Sequence, residues 1–232
     1  MVVQATDLGE KLDEMQVFTK IEKIILLNAI IFYTVGIIGH LVPLMLPFMI
    51  KVTPYTIIIW GAIITIPALD QGGKRMVIWA GITYLATFLI EALGVATGAI
   101  FGPYAYGSTL GFQVLEVPLV IGFNWMLIIL GITLEIKRKI HNPIHAALIT
   151  AILVTFLDAI IEPVAMHHDY WNWLVPGIPV QNFIAWFIIS FLFSFSLAPW
   201  VRVDQVKTRL PGVYILIQFT FFLTLRLALI VP

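Results

Sequence analysis

Long apolar runs separated by short polar segments dominate the chain. A helix needs about 20 predominantly apolar residues to cross a bilayer. On this pattern we predict spans at Ile24–Phe48, Tyr55–Leu69, Met76–Gly98, Leu115–Leu134, Ile144–Met166, Phe183–Trp200 and Val213–Val231. The second run is short and lies between Pro54 and Pro67. The prediction is an all-α fold: a polytopic integral membrane helical bundle of about seven transmembrane helices.

Two segments follow from this pattern. Residues 1–23 are interpreted as a cytoplasmic N-terminal segment, and residues 24–232 as a single transmembrane domain that carries the candidate chemistry. Within the first segment, apolar residues recur at helical spacing, which is typical of an interfacial amphipathic helix; they are Leu8, Leu12, Met15 and Phe18. A polar tail is the alternative. Acidic residues at the start of the chain argue against a signal peptide.

Basic residues in the predicted loops are distributed unevenly. One side of the membrane receives Lys11, Lys20, Lys23, Lys74, Arg75, Lys137, Arg138, Lys139, Arg202, Lys207 and Arg209. The other side receives only Lys51, while Arg226 falls within the last span. Cytoplasmic loops carry the excess of Lys and Arg. The pattern therefore predicts a cytoplasmic N-terminus.

Composition agrees with a chain whose main solvent is lipid. Hydrophobic residues make up 60% of it and charged residues only 11%, whereas soluble domains carry about 25% charged residues. A net charge of zero argues against a nucleic-acid partner. The absence of cysteine excludes disulfides, thiolate metal sites and cysteine nucleophiles.

Six ionisable residues fall inside the predicted spans, where a charge is costly enough to indicate function. They are His40, Glu91, Glu116, Asp158, Glu162 and Arg226. The predicted topology puts all of them in the outer half of the membrane. Because scattered structural charges need not share a depth, this layer is the candidate active site.

Asp158 and Glu162 are four residues apart and share a helix face. Two such acids in a low dielectric need either a proton on one of them or a compensating cation. Arg226 is the expected cation, either in a merely structural pair or as a group that keeps one acid charged. For His40, beside Gly36 and Gly39, hydrogen-bonded packing and proton relay both remain open.

Aromatic and amide side chains accompany the acidic layer. Candidate substrate-contacting residues are Tyr104, Tyr106, Trp171, Trp173, Asn182, Trp186, Asn124 and His40. Tyr and Trp at this depth are commonly interfacial anchors. Their ring faces also stabilise cations, so both interpretations stand.

Several chemistries do not fit the residues. A retinal Schiff base needs a lysine inside the bundle, and every lysine here is peripheral. Diphosphate binding needs paired acidic motifs with magnesium, and a serine nucleophile is supported only by Ser108 in a turn-like segment. A metal site on Glu91, Asp158, Glu162 and His40 has no diagnostic spacing, and we expect no metal and no cofactor. Protonation of an apolar alkene by a buried carboxyl group remains.

Ordered motifs between about residue 84 and residue 186 resemble a known family. They are Glu91-Ala92-Leu93-Gly94, Phe101-Gly102-Pro103-Tyr104-Ala105-Tyr106, Leu115-Glu116-Val117-Pro118-Leu119, Leu157-Asp158, Glu162-Pro163-Val164-Ala165, Trp171-Asn172-Trp173 and Gly177-Ile178-Pro179 with Asn182-Phe183 and Trp186. The string resembles the membrane carotenoid 1,2-hydratases of the CruF type. The chain before about Gly73 carries no matching motif.

This resemblance implies a hydro-lyase that adds water to the terminal C1=C2 bond of an acyclic carotenoid end, as in lycopene, γ-carotene or bisanhydrobacterioruberin. It implies an integral protein of a bacterial or archaeal cytoplasmic membrane, with the carotenoid, water, lipid and other carotenoid-pathway enzymes as partners. A lycopene cyclase-like isomerase and a proton-coupled transporter remain alternatives.

Roles for the acids follow from their positions. We expect Asp158 to be the proton donor, since it is deeper than Glu162 and has apolar neighbours. Glu91 and Glu162 are expected to activate water and stabilise the cation, with Glu116 as a reserve acid. The carotenoid is expected to enter sideways from the bilayer beside Gly94 and Gly98.

Overall fold

The computed structural model describes residues 18–230. Within that range, helices long and apolar enough to cross a membrane number six. They are α1 (Lys20–Leu41), α2 (Leu46–Thr97), α3 (Leu119–Lys137), α4 (Pro143–His167), α5 (Val180–Trp200) and α6 (Leu210–Ala228). Two short antiparallel ribbons join β1 (Tyr104–Tyr106) to β4 (Trp171–Trp173) and β2 (Gln113–Val114) to β3 (Val117–Pro118).

The first helix is shorter than its apolar run. It begins at a capping box in which Thr19 and Glu22 satisfy each other's backbone N–H groups, a common helix start. It ends at Leu41, so the predicted span to Phe48 was too long, because residues 42–45 form a turn before α2. The amphipathic helix predicted for residues 8–18 lies almost entirely outside the described residues.

The longest helix, α2, contains both the second and the third predicted spans. Its one interior residue with non-helical dihedrals is Gly73, at φ 66° and ψ −168°, where glycine pays no steric penalty. Gly61 lies against Phe123 of α3, and the adjacent Gly122 lies against Phe88. In a straight helix Gly61 and Phe88 would be about 40 Å apart. The chain therefore folds back at Gly73 into two arms that both pack on α3. The number of membrane crossings stays a prediction.

The loops predicted to share one side of the membrane lie together at one end of the bundle. The Gln71 side chain accepts from the backbone N–H groups of Lys207 and Thr208. Arg138, at the end of α3, donates to the backbone oxygens of residues 206–208. The Thr208 hydroxyl donates to Glu22 at 2.5 Å. Which side of a membrane this end faces stays a prediction.

Helix α3 is the centre of the bundle. Almost every residue from Trp125 to Leu134 is buried, because α2, α4 and α6 all pack on it. The outer faces of the surrounding helices expose aliphatic side chains, such as Ile24, Ile66 and Ile188. An exterior of this kind is expected where lipid is the solvent. The polar residues of the bundle are therefore concentrated inside it.

Candidate active site

A two-stranded ribbon places four aromatic side chains over the end of the bundle away from the charged loops. In this ribbon Tyr104 is opposite Trp173, and Tyr106 is opposite Trp171. Alternate residues of a strand point to the same face, so these four rings point together. They line a narrow cavity of about 60 Å³. The sequence analysis did not predict this ribbon, because three residues such as Tyr-Ala-Tyr or Trp-Asn-Trp are too few for alternation to indicate a strand.

Glu91 of α2 is held by three donors. The hydroxyls of Tyr104 and Tyr106 both donate to Oε2, the second at 2.8 Å, and Trp125 Nε1 donates to Oε1 at 2.7 Å. Burial and the negative charge of Glu91 raise the pKa of both tyrosine hydroxyls, which therefore stay protonated donors. All of these contacts favour a carboxylate at Glu91.

Glu162 of α4 is also held by three hydrogen bonds from neutral donors. Trp171 Nε1 and Trp173 Nε1 donate to Oε2 at 3.1 and 2.9 Å. Asn182 Nδ2 of α5 donates to Oε1 at 3.0 Å. Glu162 thus accepts three neutral donors, which also favours its ionised form.

Asp158 differs from both glutamates. Asn182 Nδ2 donates to its Oδ2 at 2.9 Å, so one amide nitrogen joins Asp158 to Glu162. Its Oδ1 is buried and has no hydrogen-bond partner among the described residues. A buried carboxyl oxygen without a donor is the natural place for a proton, because an unpaired charge there would be costly. This geometry suits Asp158 to hold a proton beside two carboxyl groups whose hydrogen-bond partners are all donors.

The structure brings together most of the residues that the sequence analysis selected. The cavity is lined by Glu91, Asp158, Glu162, Tyr104, Tyr106, Asn124, Trp171, Trp173, Asn182 and Trp186. Further lining residues lie outside that set of candidates, among them Phe101, Trp125, Tyr170 and Gln218. Trp125 stacks on Trp186 at a ring separation of 3.7 Å. A tryptophan within a span needs a partner for its indole N–H, which was the available signal for Trp125.

Two predicted positions were wrong. Glu116 does not begin a helix in the acidic layer; it is exposed at the β2–β3 turn, where Leu115 and Glu116 both have positive φ. Arg226 forms no ion pair with any acid in the described part of the chain. Its guanidinium instead donates to the backbone oxygen of Ala159, because its side chain reaches the backbone of α4 rather than the acidic face of that helix.

His40 also lies apart from the carboxyl groups. Its Nδ1 is 2.7 Å from the Gly36 oxygen, and its ring packs against His168 and Phe221 at 5.3 Å. It lines a second, wider cavity of about 310 Å³. Gly94, expected beside the substrate path, is instead closed off by Phe101, which a Cβ atom at this position would meet at 2.6 Å.

The lining groups define what the acidic cavity can do. It contains three carboxyl groups and neutral donors, and no Lys or Arg within residues 18–230 forms an ion pair with those acids. Negative charge and aromatic faces both stabilise a cation. No cluster of three or more His, Cys, Asp or Glu suited to a metal ion occurs in the described range. The arrangement can donate a proton, stabilise a carbocation and accept a proton from water.

Comparisons with known proteins agree with this chemistry. The model of a family described as "Carotenoid biosynthesis protein" matches residues 52–231. A curated relative, bisanhydrobacterioruberin hydratase of Haloarcula japonica, is 25% identical over 174 residues, which cover 69% of this chain. The match spans 59% of that relative's length. No solved structure matches the chain.

Proposed function

The chain belongs to this family of carotenoid biosynthesis proteins, and on that premise we propose that it adds water to the terminal C1=C2 bond of an acyclic carotenoid end. The product is a tertiary 1-hydroxy carotenoid. The proposal rests on a difference in hydrogen bonding among the three acids. Glu91 and Glu162 each accept three donors, whereas Asp158 has a buried oxygen without a partner.

The reaction begins with proton transfer from Asp158 to C2. A C–H bond forms, and positive charge develops at the dimethyl carbon C1, where Glu91, Glu162 and the surrounding rings stabilise it. Charge stabilisation of this kind in a dry site is a large part of catalysis. Asn182 is a positioning residue, since its amide holds Asp158 and Glu162 together.

Water completes the addition. Its oxygen bonds to C1, and the proton that it loses passes to Glu162 or Glu91, as in general-base catalysis. Exchange of that proton within the cavity returns it to Asp158. The sum is one water added, with no oxidation or reduction, so the residues present balance the reaction without a further reactant.

The test is expression of the gene in cells that accumulate lycopene or γ-carotene, followed by mass analysis of their pigments. We expect a product heavier by one water. A cyclic product of unchanged mass would instead indicate a lycopene cyclase-like isomerase. Unchanged pigment in cells that contain the membrane-inserted protein would contradict both activities.

The membrane topology is part of the proposal. Because the two arms of α2 fold back at Gly73, we propose seven crossings of a cytoplasmic membrane, with the N-terminus and the charged loops inside. The acidic cavity then lies in the outer half.

The absence of native cysteine allows a direct test of this topology. Single cysteines replace His141, in an exposed loop at the charged end, and Leu174, which is 67% exposed at the other end. A membrane-impermeant thiol reagent applied to intact cells should label Leu174→Cys at once and His141→Cys only after permeabilisation. The reverse pattern would invert the topology, and labelling of both would change the crossing count.

A further inference from the structure

A second cavity adjoins the acidic one and has a different character. It lies between α1, the first arm of α2 and α6, and its volume of about 310 Å³ is several times that of the acidic cavity. Its wall is largely apolar, with aromatic and aliphatic side chains such as Phe48, Val52 and Phe221. It contains no carboxyl group. Nothing in the reaction described above uses it.

The two cavities share part of their walls. Ile57 of α2 and Gln218 and Phe222 of α6 line both. Across the same boundary, the hydroxyl of Tyr170 in the acidic cavity lies 3.5 Å from the Thr53 hydroxyl in the second. Only side chains therefore separate the two spaces, and rotation of these side chains can join them.

The second cavity also reaches the outer surface of the bundle. Phe32, Val35 and Phe48 line it and are 45%, 54% and 63% exposed. On a bundle embedded in lipid, these side chains face acyl chains. The cavity thus forms a lateral path from the hydrocarbon of the bilayer to the wall that it shares with the acidic cavity.

We propose that this second cavity holds the polyene chain of the substrate while its terminal double bond lies among the carboxyl groups. The inference rests on the proposed function and adds where the bulk of the substrate binds. A long, rigid and apolar chain cannot fit in the narrow acidic cavity. An apolar passage that is continuous with lipid admits it without exposing it to water. The second cavity therefore determines selectivity for long polyenes over short alkenes.

Gly36 of α1 offers a test that leaves the carboxyl groups untouched. Gly36 lines the second cavity, and a Cβ atom there would meet only Phe221, at 3.4 Å. Gly36→Leu therefore fills the passage without a backbone clash. Gly81→Leu is the matched control, since Gly81 is exposed on α2 and a Cβ atom there meets nothing within 4 Å.

Two measurements are made on the full chain purified from lycopene-containing membranes: bound polyene by its absorption, and hydrated product by mass. We expect Gly36→Leu to lower bound lycopene and hydrated product about tenfold each, because the leucine side chain fills the passage. A displacement of the terminal double bond by about 1 Å can by itself lower the reaction rate more than this. Hydration of a short 2-methyl-2-alkene should stay near the wild-type rate. Gly81→Leu should resemble the wild type throughout. Val35→Trp at the exposed mouth is a second variant that adds little buried volume, and it should also reduce lycopene binding.

The outcomes separate the two proposals. If both Gly36→Leu and Val35→Trp bind and hydrate lycopene like the wild type, the polyene lies elsewhere and the inference is overturned, while the hydratase function stands. If the wild type binds lycopene but adds no water, the proposed function fails. The pigment comparison between Gly36→Leu and Gly81→Leu still decides where the polyene binds. Loss of short-alkene hydration in Gly36→Leu would also overturn the inference, because the damage would then reach the carboxyl groups.

Discussion

Glu135, at the charged end of the bundle, and the two glutamates of the cavity have different kinds of hydrogen-bond partner. Glu135 Oε2 lies 2.5 Å from Arg209 Nη2, and its Oε1 lies 3.3 Å from Arg138 Nε. Its charge is neutralised by these two cations, and in turn the hydrogen bond to Glu135 and its negative charge raise the pKa of Arg209. Glu91 and Glu162 instead accept only tyrosine, tryptophan and asparagine donors.

The difference separates an acid paired with arginines, which we call structural, from acids held only by neutral donors, to which we assign the proposed chemistry. An arginine beside a carboxylate cancels the field that a carbocation would experience. Neutral donors orient a carboxylate and satisfy its lone pairs but leave its charge available in a low dielectric. On the proposed function, the cavity would keep this negative charge for a cationic intermediate, whereas the arginines at the charged end would cancel it.

The largest expected effect comes from removing the acid itself. Asp158→Asn keeps the shape and the contact with Asn182 but cannot donate a carboxyl proton, so hydration should fall by about 10²–10⁴-fold. The measurement is hydrated carotenoid per unit of membrane-inserted protein. The matched control is Glu135→Gln, the same chemical change at the other end. Near-normal hydration by well-inserted Asp158→Asn would make Asp158 structural and transfer the acid role to Glu91.

A smaller effect is expected from replacing Glu91, to which all of its hydrogen-bond partners donate. In Glu91→Gln, the new NH₂ group faces either the indole N–H of Trp125, which cannot accept, or the two tyrosine hydroxyls, whose own protons then lose their acceptor. A buried unsatisfied donor costs about 1–3 kcal/mol, so the thermal midpoint in detergent should fall, together with hydration.

Removal of one donor tests that explanation. Trp125→Phe takes away the indole N–H that faces Oε1, which leaves space for the amide nitrogen of glutamine. The double variant should therefore be more stable than the sum of the two single changes, as a double-mutant cycle would show. Strict additivity would mean that the Trp125 contact does not hold Glu91.

The sequence predicted that Glu91, Asp158 and Glu162 lie close together, and all three line one cavity, because the cost of a charge in a membrane depends mainly on its depth. Glu91, Asp158 and Glu162 are each separated from a helix end by a countable number of residues, and depth follows from helical rise. The direction in which a side chain points around the helix axis is harder to predict from the sequence. Arg226 has a suitable depth, yet it bonds to the backbone of α4 at Ala159, since the relative rotation of two helices depends on packing that no local pattern shows.

The turns were also predicted poorly from the sequence. The β2–β3 turn has Leu115 and Glu116 at φ 52° and 63°, where Asn and Gly are usual. An apolar residue there makes the segment resemble the start of a span, which is why the predicted helix began at Leu115 rather than Leu119. The ribbon of Tyr104 and Trp173 was also missed, because its two strands are too short for periodicity to distinguish them from loop.

The smallest effect is expected at the charged end. Glu135 and Arg209 are 24% and 37% exposed at their side chains, and pairs of this kind contribute about 0–1 kcal/mol to stability. Glu135→Gln should therefore lower the thermal midpoint slightly, and the difference from wild type should shrink as salt concentration rises, because salt screens partly exposed charges. Hydration per folded protein should be unchanged, since Glu135 lies at the opposite end of the bundle from the acidic cavity. A salt-independent loss of hydration in Glu135→Gln would mean that the two ends are coupled, and the separation between structural and chemical acids would no longer hold.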